Sequence, residues 1–570
     1  MPGSRFLLTA LAVAMLLAGC AGPAPSAGGG VPDSERRNAG PKRITAAIHG
    51  DPHTLFHTLN PASRVRGIET LEQLVNAGLS LLDKTGNLLP QLAEQVPSLE
   101  NGLWILLPDG GMQTTWRIRE GAQWHDGTPV TADDMLFTLQ VAQDKELPIF
   151  NNAAYDLIES ASAPDQRTLT LVWKQAFIEA DTMFTTLRAL PIPRHLLERA
   201  YRDEKATFTD HVYWSTEFVG TGPFKLKEWE RSSHLIFEAN DRYVLGRPKI
   251  DLVEVRFITD DNTLAASLLA GAVELTLGRS LSGEQALEVR QQWRDGNIDL
   301  SYENWIAMFP QFLNTNPAII ADARFRRALM HAMDRQQIVD AFQPGLTTVA
   351  HSWLSPNQPD YREIEERNVV RYDYDVRRAG QLLESLELTK GADGFYRDRS
   401  GQRLNVEART TADDDVRQKT LFAIADYWQQ AGIGTETVLI PRQRAADLEY
   451  RATFPAFELV RQPQDVRGLR SFHSRYTALP ENSFRVTGNR TRYMNPEWDA
   501  LVDRYFMTIP KPERVQIMGE IVRHISNEVL ILGIYYNVSP TLLSNRLVNI
   551  GAAGQGATQA WNAHLWDVRG

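Results

Sequence analysis

Trp116–Asp134 reads WRIREGAQWHDGTPVTADD: a strand, a turn and a capped helix in one short run. Trp116, Ile118 and Glu120 alternate with Arg117 and Arg119, the period of a short strand. Asp126-Gly127 is a turn pair, and Pro129 delays the helix. Thr131 stands at the N-cap, with Asp134 three residues on to reach back to it. Met135, Leu136, Leu139 and Ala142 supply the apolar stripe of the helix that follows.

Outward from this run, strands and helices alternate, as an α/β fold requires. Ile44–Ile48 and Thr168–Trp173 read as strands, and Gly67–Leu82 reads as a helix. Val253–Ile258 is a strand, followed by a helix over Thr263–Ala270 that Gly271 closes. Leu421–Ala431 is a helix ended by Gly432, and Thr437–Ile440 is a strand. The chain has 570 residues, more than one core supports, so several domains are expected.

The amino-terminal residues read as processing signals. Arg5 is a minimal basic region, and Phe6–Ala18 is an apolar run too short to span a bilayer. Leu17-Ala18-Gly19-Cys20 resembles a lipobox, which predicts a signal peptide over 1–19 and lipidation of Cys20. Cys20 is the only cysteine, so no intrachain disulfide and no thiolate metal cluster can form. Residues 20–42 are rich in Ala, Gly, Pro and Ser and predict a flexible tether. The longest later apolar stretch, Val529–Tyr536, is also too short to cross a membrane. Net charge is −10 with both signs interspersed, so nucleic acid is not an expected partner.

Three further blocks carry a pattern. Phe218–Leu226 reads FVGTGPFKL, followed by Trp229, Asn240, Tyr243, Gly246, Pro248 and Ile250. Gly220 and Gly222 permit a tight backbone, and Pro223 stiffens the exit into a strand over Phe224–Trp229. After Asn314, Asp322–Ile338 reads DARFRRALMHAMDRQQI. Asp322 is an N-cap, Phe325, Ala328, Leu329, Ala332 and Met333 share a face, and Arg324, Arg327, His331 and Arg335 are expected in solvent. Tyr374-Asp375 to Leu383, Asp393-Gly394 and Gly401 form the last block, with Tyr493-Met494-Asn495-Pro496 and Asp499 later. These blocks and the opening run resemble the extracellular solute-binding proteins of bacterial peptide and nickel ABC importers, family 5, from about residue 43 to near 540.

The resemblance implies a bilobal periplasmic-binding-protein-like α/β fold, type II in its large three-region form. Residues 43–80, 215–310 and 535–570 would form a discontinuous lobe I. Residues 81–214 would be inserted in it, 311–534 would form lobe II, and crossings near 310 and 535 would be the hinge. It also implies a small-molecule or peptide ligand in the interlobe cleft, an oligopeptide or dipeptide leading, with nickel chelates, sugars and opines open. The implied partners are the transmembrane subunits of an ABC permease, with the membrane reached through the lipid anchor. No cofactor, no catalysis and a monomer are expected.

The residues agree that chemistry is not obvious. No H-E-x-x-H, Walker loop or complete Gly-x-Gly-x-x-Gly occurs. Gly278-Arg-Ser280-Leu-Ser282-Gly283 lacks the second glycine of a nucleophile elbow. Asp413-Asp414-Asp415 reads as a solvated helix start. His49, His53 and His57 are interrupted by Pro52, and His125-Asp126 reads as a turn rather than an acid–base pair. In peptide-binding relatives an aspartate of the later lobe holds the ligand's α-ammonium. Asp465 is the acid nearest that place here, two residues short and without the usual Gly-Trp pair. Arg461, Gln462, Arg467 and Arg470 crowd this segment, and Arg64 and Arg66 lie in the early cleft segment. They suggest a ligand carrying a carboxylate or other anion, since arginine pairs with these bidentately. Tyr302, Trp305 and Asn314, on the approach to the hinge, complete the ligand-binding expectation. Two rival readings are a secreted hydrolase on a related scaffold and a lipoprotein serving a sensor or the envelope without transport.

Overall fold

Two apolar runs without a polar break, Trp305–Phe309 and Leu532–Tyr536, belong to the strands around which the protein is built. In the computed structural model the described residues are 40–570, except 61–64, 151, 153, 359, 413, 464, 465, 485–488, 555 and 570, and except the side chains of 303, 442, 463, 466 and 467. The predicted signal peptide, Cys20 and nearly all of the predicted tether lie outside the described residues, as do Arg64 and Asp465.

The main sheet holds ten strands: β1 (Arg43–Ile48), β2 (Phe224–Glu230), β3 (His234–Ala239), β4 (Leu252–Phe257), β5 (Leu275–Leu277), β6 (Gly296–Pro310), β7 (Asn405–Thr411), β8 (Gly434–Ile440), β9 (Phe457–Pro463) and β10 (Leu532–Ser544). Their spatial order is β8-β7-β9-β6-β10-β5-β1-β4-β3-β2. β1 pairs in parallel with β4 and β5, and β7 in parallel with β8 and β9. These two parallel sets are joined only through β6 and β10, which pair antiparallel along most of their length. The register of that pair shifts between Tyr302 and Asn304 and again between Ile306 and Ala307. Such irregularities bend a strand and re-aim its side chains.

The continuous apolar run on β6 has a simple cause. Trp305, Ala307 and Phe309 enter one core, while Ile306 and Met308 enter another. On β10, Ile534 and Tyr535 enter the second core and Tyr536 the first. A strand buried on both faces has no position left for a polar alternation. A further core lies under β1, β4 and β5 with Leu71, Leu74, Trp214 and Trp566. The bilobal architecture therefore has two sheet halves sharing one pair of long strands. A separate four-stranded sheet, Trp104–Leu106, Met112–Arg117, Thr168–Trp173 and Ile158–Asp165, holds the start of the signature run, Trp116 and Arg117, at the end of an inner strand.

Three expectations need correction. The helix expected over 67–82 is only α1 (Ile68–Val75), followed by a short strand at Ser80–Leu82. It stops because Asn76 turns its side-chain carbonyl to the Thr221 hydroxyl (2.9 Å) and Gly78 passes against the Phe184 carbonyl, where a Cβ would lie 2.3 Å away. The helix expected over 322–338 is two, α3 (Ala323–His331) and α4 (Arg335–Phe342), because Asp334 caps the second by accepting from the Gln337 amide at 2.9 Å. Arg335 is not in solvent but 5% exposed, donating to the carbonyls of Ala350, Gly533 and Tyr372 at 2.9–3.2 Å. Its donors tie α4 to β10, a role no helical pattern reveals.

The signature run does form a capped helix, α2 (Ala132–Gln143). Asp134 is 4% exposed and fully occupied. One carboxylate oxygen accepts from the Thr131 amide (2.8 Å) and hydroxyl (3.0 Å), and the other from the Arg194 amide (2.9 Å). His125 reaches the second motif. Its Nδ1 accepts from the Gly220 amide at 3.2 Å, and its Nε2 bonds the Gly222 carbonyl at 3.1 Å. That turn in turn sits on the end of α1, where a Cβ on Gly220 would meet the Val75 carbonyl oxygen at 1.9 Å. Two distant motifs are thus halves of one clamp.

Burial pushes the His125 imidazole down to about 4. The unfolded imidazole takes a proton near 6.5, so on acidification the unfolded state is protonated first. Stability held at neutral pH is then lost from pH 6.5 down to about 4, by about 3 kcal/mol from this residue. Urea unfolding at pH 7 and 4.5 should show that loss in the wild type and a smaller one in His125→Gln; equal losses would refute the assignment. Gly220→Ala should lower stability by roughly 1–3 kcal/mol or more through overpacking, read as a lower urea midpoint at unchanged slope.

Candidate functional site

The register shift in β6 places Tyr302 beside an inner recess of about 280 Å³. Its floor is Ser301 and Tyr302 of β6 with Ser539 and Thr541 of β10, and its wall includes Thr70 of α1 and Gln559. The polar groups here largely satisfy each other. The Gln559 side chain donates to the Thr541 hydroxyl (2.8 Å) and accepts from the Gly278 amide (2.8 Å). Gly67 and Gly278 touch backbone to backbone: a Cβ on Gly67 would lie 2.2 Å from the Gly278 Cα. Both have positive φ, +96° and +63°, so this edge needs glycine twice.

An outer recess of about 400 Å³ adjoins it, and Leu187 and Gly556 line both. One wall comes from residues 82–88 and 178–187. The other comes from residues 354–361, from α5 (Tyr361–Asn368) and from α6 (Lys511–Glu528). Apolar surface from Leu82, Leu88, Ile178, Ile364 and Met518 meets charges of both signs from Glu179, Asp181, Lys511 and Arg514. A tyrosine path joins the recesses. Tyr302 meets Tyr536 edge-on at 5.8 Å, and Tyr536 shares a hydrogen bond with Tyr361.

Desolvation dominates the electrostatics of the outer recess. It raises the Tyr505 phenol to about 12, and it raises the Tyr361 phenol, with the Glu365 carboxylate adding to the effect. Asp181 is crowded by protein atoms yet keeps surface toward the recess. Desolvation pushes its carboxyl up to about 7, against the opposing pull of Arg514. A buried carboxyl that ionises this reluctantly gains from a cation brought to it.

The expected ligand residues are not gathered in one place. Tyr302 lines the inner recess. Trp305 is 2% exposed and packs edge-on against Trp353 at 5.5 Å. Asn314 is exposed in a left-handed turn after β6, at φ 56°. Arg66 is exposed beside the glycine contact, bridged to His49. Arg461 is held by Asp414 at 2.7 Å, and Gln462 is half-buried on β9 opposite Trp305. Asp181, Tyr361 and Arg514 were missed. The usable signal was the acid pair of Phe177-Ile-Glu-Ala-Asp-Thr-Met-Phe184, two carboxylates inside an apolar run, which is costly without a purpose.

Reactive groups are not assembled here. Ser280 is buried, with no hydrogen-bond partner for its hydroxyl among the described residues. Those residues hold no group of three or more His, Cys, Asp or Glu that could bind a metal. No helix among them is long and apolar enough to cross a membrane.

Residues 87–463 match the family described as bacterial extracellular solute-binding proteins, family 5 middle. The oligopeptide-binding protein AppA of Bacillus subtilis (strain 168) is 24% identical over 432 residues, covering 75% of either chain. Its structure in complex with a nonapeptide superposes with a TM-score of 0.63 at 21% identity, over 93% of this chain and 100% of that one. The periplasmic oligopeptide-binding protein of Thermotoga maritima superposes at 0.71 with 19% identity, over 93% and 99%. The match over residues 87–463 covers well over half of the chain, and the chain therefore belongs to the family 5 bacterial extracellular solute-binding proteins, which bind a substrate and do not transform it.

Proposed function

We propose that this protein is the substrate-binding lipoprotein of an ABC importer, taking a small peptide into the interlobe cleft and handing it to the membrane permease. The carrying observation is the outer recess. Its two walls come from residues 82–187 and 354–518, segments far apart in sequence. A ligand there is enclosed by both halves and desolvated by neither alone. The size of the two adjoining recesses suits a small solute, and mixed apolar and charged walls suit a peptide, whose termini are charged and whose side chains are partly apolar. The curated relative named for oligopeptide binding supports the peptide class.

In this reading lobe I comprises 43–80, 215–310 and 535–570, with 81–214 inserted, and lobe II is 311–534. The hinge is the β6–β10 pair at its register shifts. Ligand-driven closure needs a higher affinity for the closed form, about 5.5 kcal/mol to move a 1:99 balance to 99:1. Lipidated Cys20 would hold the protein at the outer face of a membrane through the tether.

Two measurements test this. Protein purified without denaturant and then unfolded should release an intact peptide by mass spectrometry, and adding that peptide back should reduce the radius of gyration in small-angle scattering. Recovery of cleaved products, or an unchanged radius, would defeat the reading. Cys20→Ala should shift the full chain from the membrane to the soluble fraction and abolish acyl mass on the mature amino terminus; persistence in the membrane fraction would remove the lipid anchor.

A further inference from the structure

The charges lining the outer recess can be paired off one by one. Glu179 is met by Arg188 at 2.9 Å, both largely buried, and Arg188 Nε also donates to the Thr182 hydroxyl. Asp360 is met by Lys511 at 3.7 Å. One anion and one cation are left over, and they stand on opposite walls. Asp181 sits in the short turn Ala180–Thr182, where no Lys, Arg or His nitrogen among the described residues comes within 4.0 Å of its carboxylate. Arg514 sits in the first turn of α6. One of its nitrogens, Nη1, donates to the carbonyls of Ile509 (2.8 Å) and Thr508 (3.4 Å), and no carboxylate of the described residues comes within 4.0 Å. The two feel each other electrostatically across the gap without touching.

Both groups are held in place. The Asp181 turn is closed by the Thr182 amide and hydroxyl on the Glu179 carbonyl, at 3.0 and 2.7 Å, and the Ser80 hydroxyl donates to the Asp181 carbonyl. Arg514 is anchored through its Nη1, which leaves its remaining donors for a planar acceptor. An uncompensated pair in a partly desolvated cavity is costly, and a ligand bearing the complementary pair would relieve both costs at once.

Resting on the peptide-binding reading above, we propose that Asp181 and Arg514 form a zwitterion clamp, Asp181 receiving the free α-ammonium and Arg514 the free carboxylate of a short unblocked peptide. The amino end is then held by the inserted region and the carboxyl end by the second half, so one ligand bridges the two. Because each terminus must reach its own wall, the clamp selects a peptide with both ends free. The raised affinity of Asp181 for a proton agrees with a carboxyl awaiting a cation.

Native mass spectrometry of the full chain tests this with an equimolar pool of di- and tripeptides, the same pool N-acetylated, and the same pool C-amidated. The free pool should give adducts, and each blocked pool at least tenfold fewer. Asp181→Asn and Arg514→Gln should each lose at least tenfold for the free pool, with Asp181→Asn indifferent to acetylation and Arg514→Gln indifferent to amidation. That matched indifference separates ligand contact from a general folding defect, and melting curves of both variants confirm folding. Equal binding of free and blocked pools, or unchanged binding by the variants, overturns the clamp while leaving peptide binding intact. No adduct from any pool overturns both.

Discussion

The antiparallel pair of β6 and β10 is the constraint on which the rest depends. Each half of the main sheet has its own parallel strands and its own core, and this pair alone continues through both. Because side chains alternate across a strand, successive residues of β6 serve different cores, and a one-residue slip would exchange Ile306 and Met308 with Trp305 and Ala307. Register is therefore heavily specified at 305–309. The irregularity beside Tyr302 lies where β6 leaves that doubly buried stretch and borders the inner recess.

How far this was legible in the residues follows from the range of each interaction. The Thr131–Asp134 cap and the strand at Thr168–Trp173 were readable because each is decided within a few neighbours, whereas the strand read from Trp116 to Glu120 lies earlier, over Met112–Arg117. The end of α1 was not. Its stop is imposed by Thr221 and Phe184, more than a hundred residues away in sequence. Arg335 was misread for the same reason: a helical pattern assigns an arginine to solvent, and only the arrival of β10 and residues 350 and 372 supplies the carbonyls that bury it.

The motifs that announced the family turned out to be structural. His125 and the Gly220-Thr-Gly222 turn tie the signature run to the end of α1, and Asp134 satisfies the backbone of two segments. These are packing solutions at contacts where only glycine fits or where a buried acid must find several donors. They locate the fold without describing the ligand. The cleft is assembled from short stretches spread over more than four hundred residues, so no local pattern marks it. Tyr302 was singled out only through the resemblance, on the approach to the hinge, whereas Asp181 and Arg514 acquire meaning only from facing each other.

Distance between those two groups also bears on how such a protein avoids closing empty. Were the carboxylate and guanidinium in contact, each would satisfy the other, and the halves would hold together without cargo. Held apart on walls that belong to different halves, they leave the empty cleft with an unmet electrostatic cost, partly avoided when Asp181 keeps its proton. A bridging ligand removes that cost only when it touches both walls. The differential affinity that drives closure then comes from the same two contacts that select the ligand, so selectivity and closure are one free-energy term rather than two.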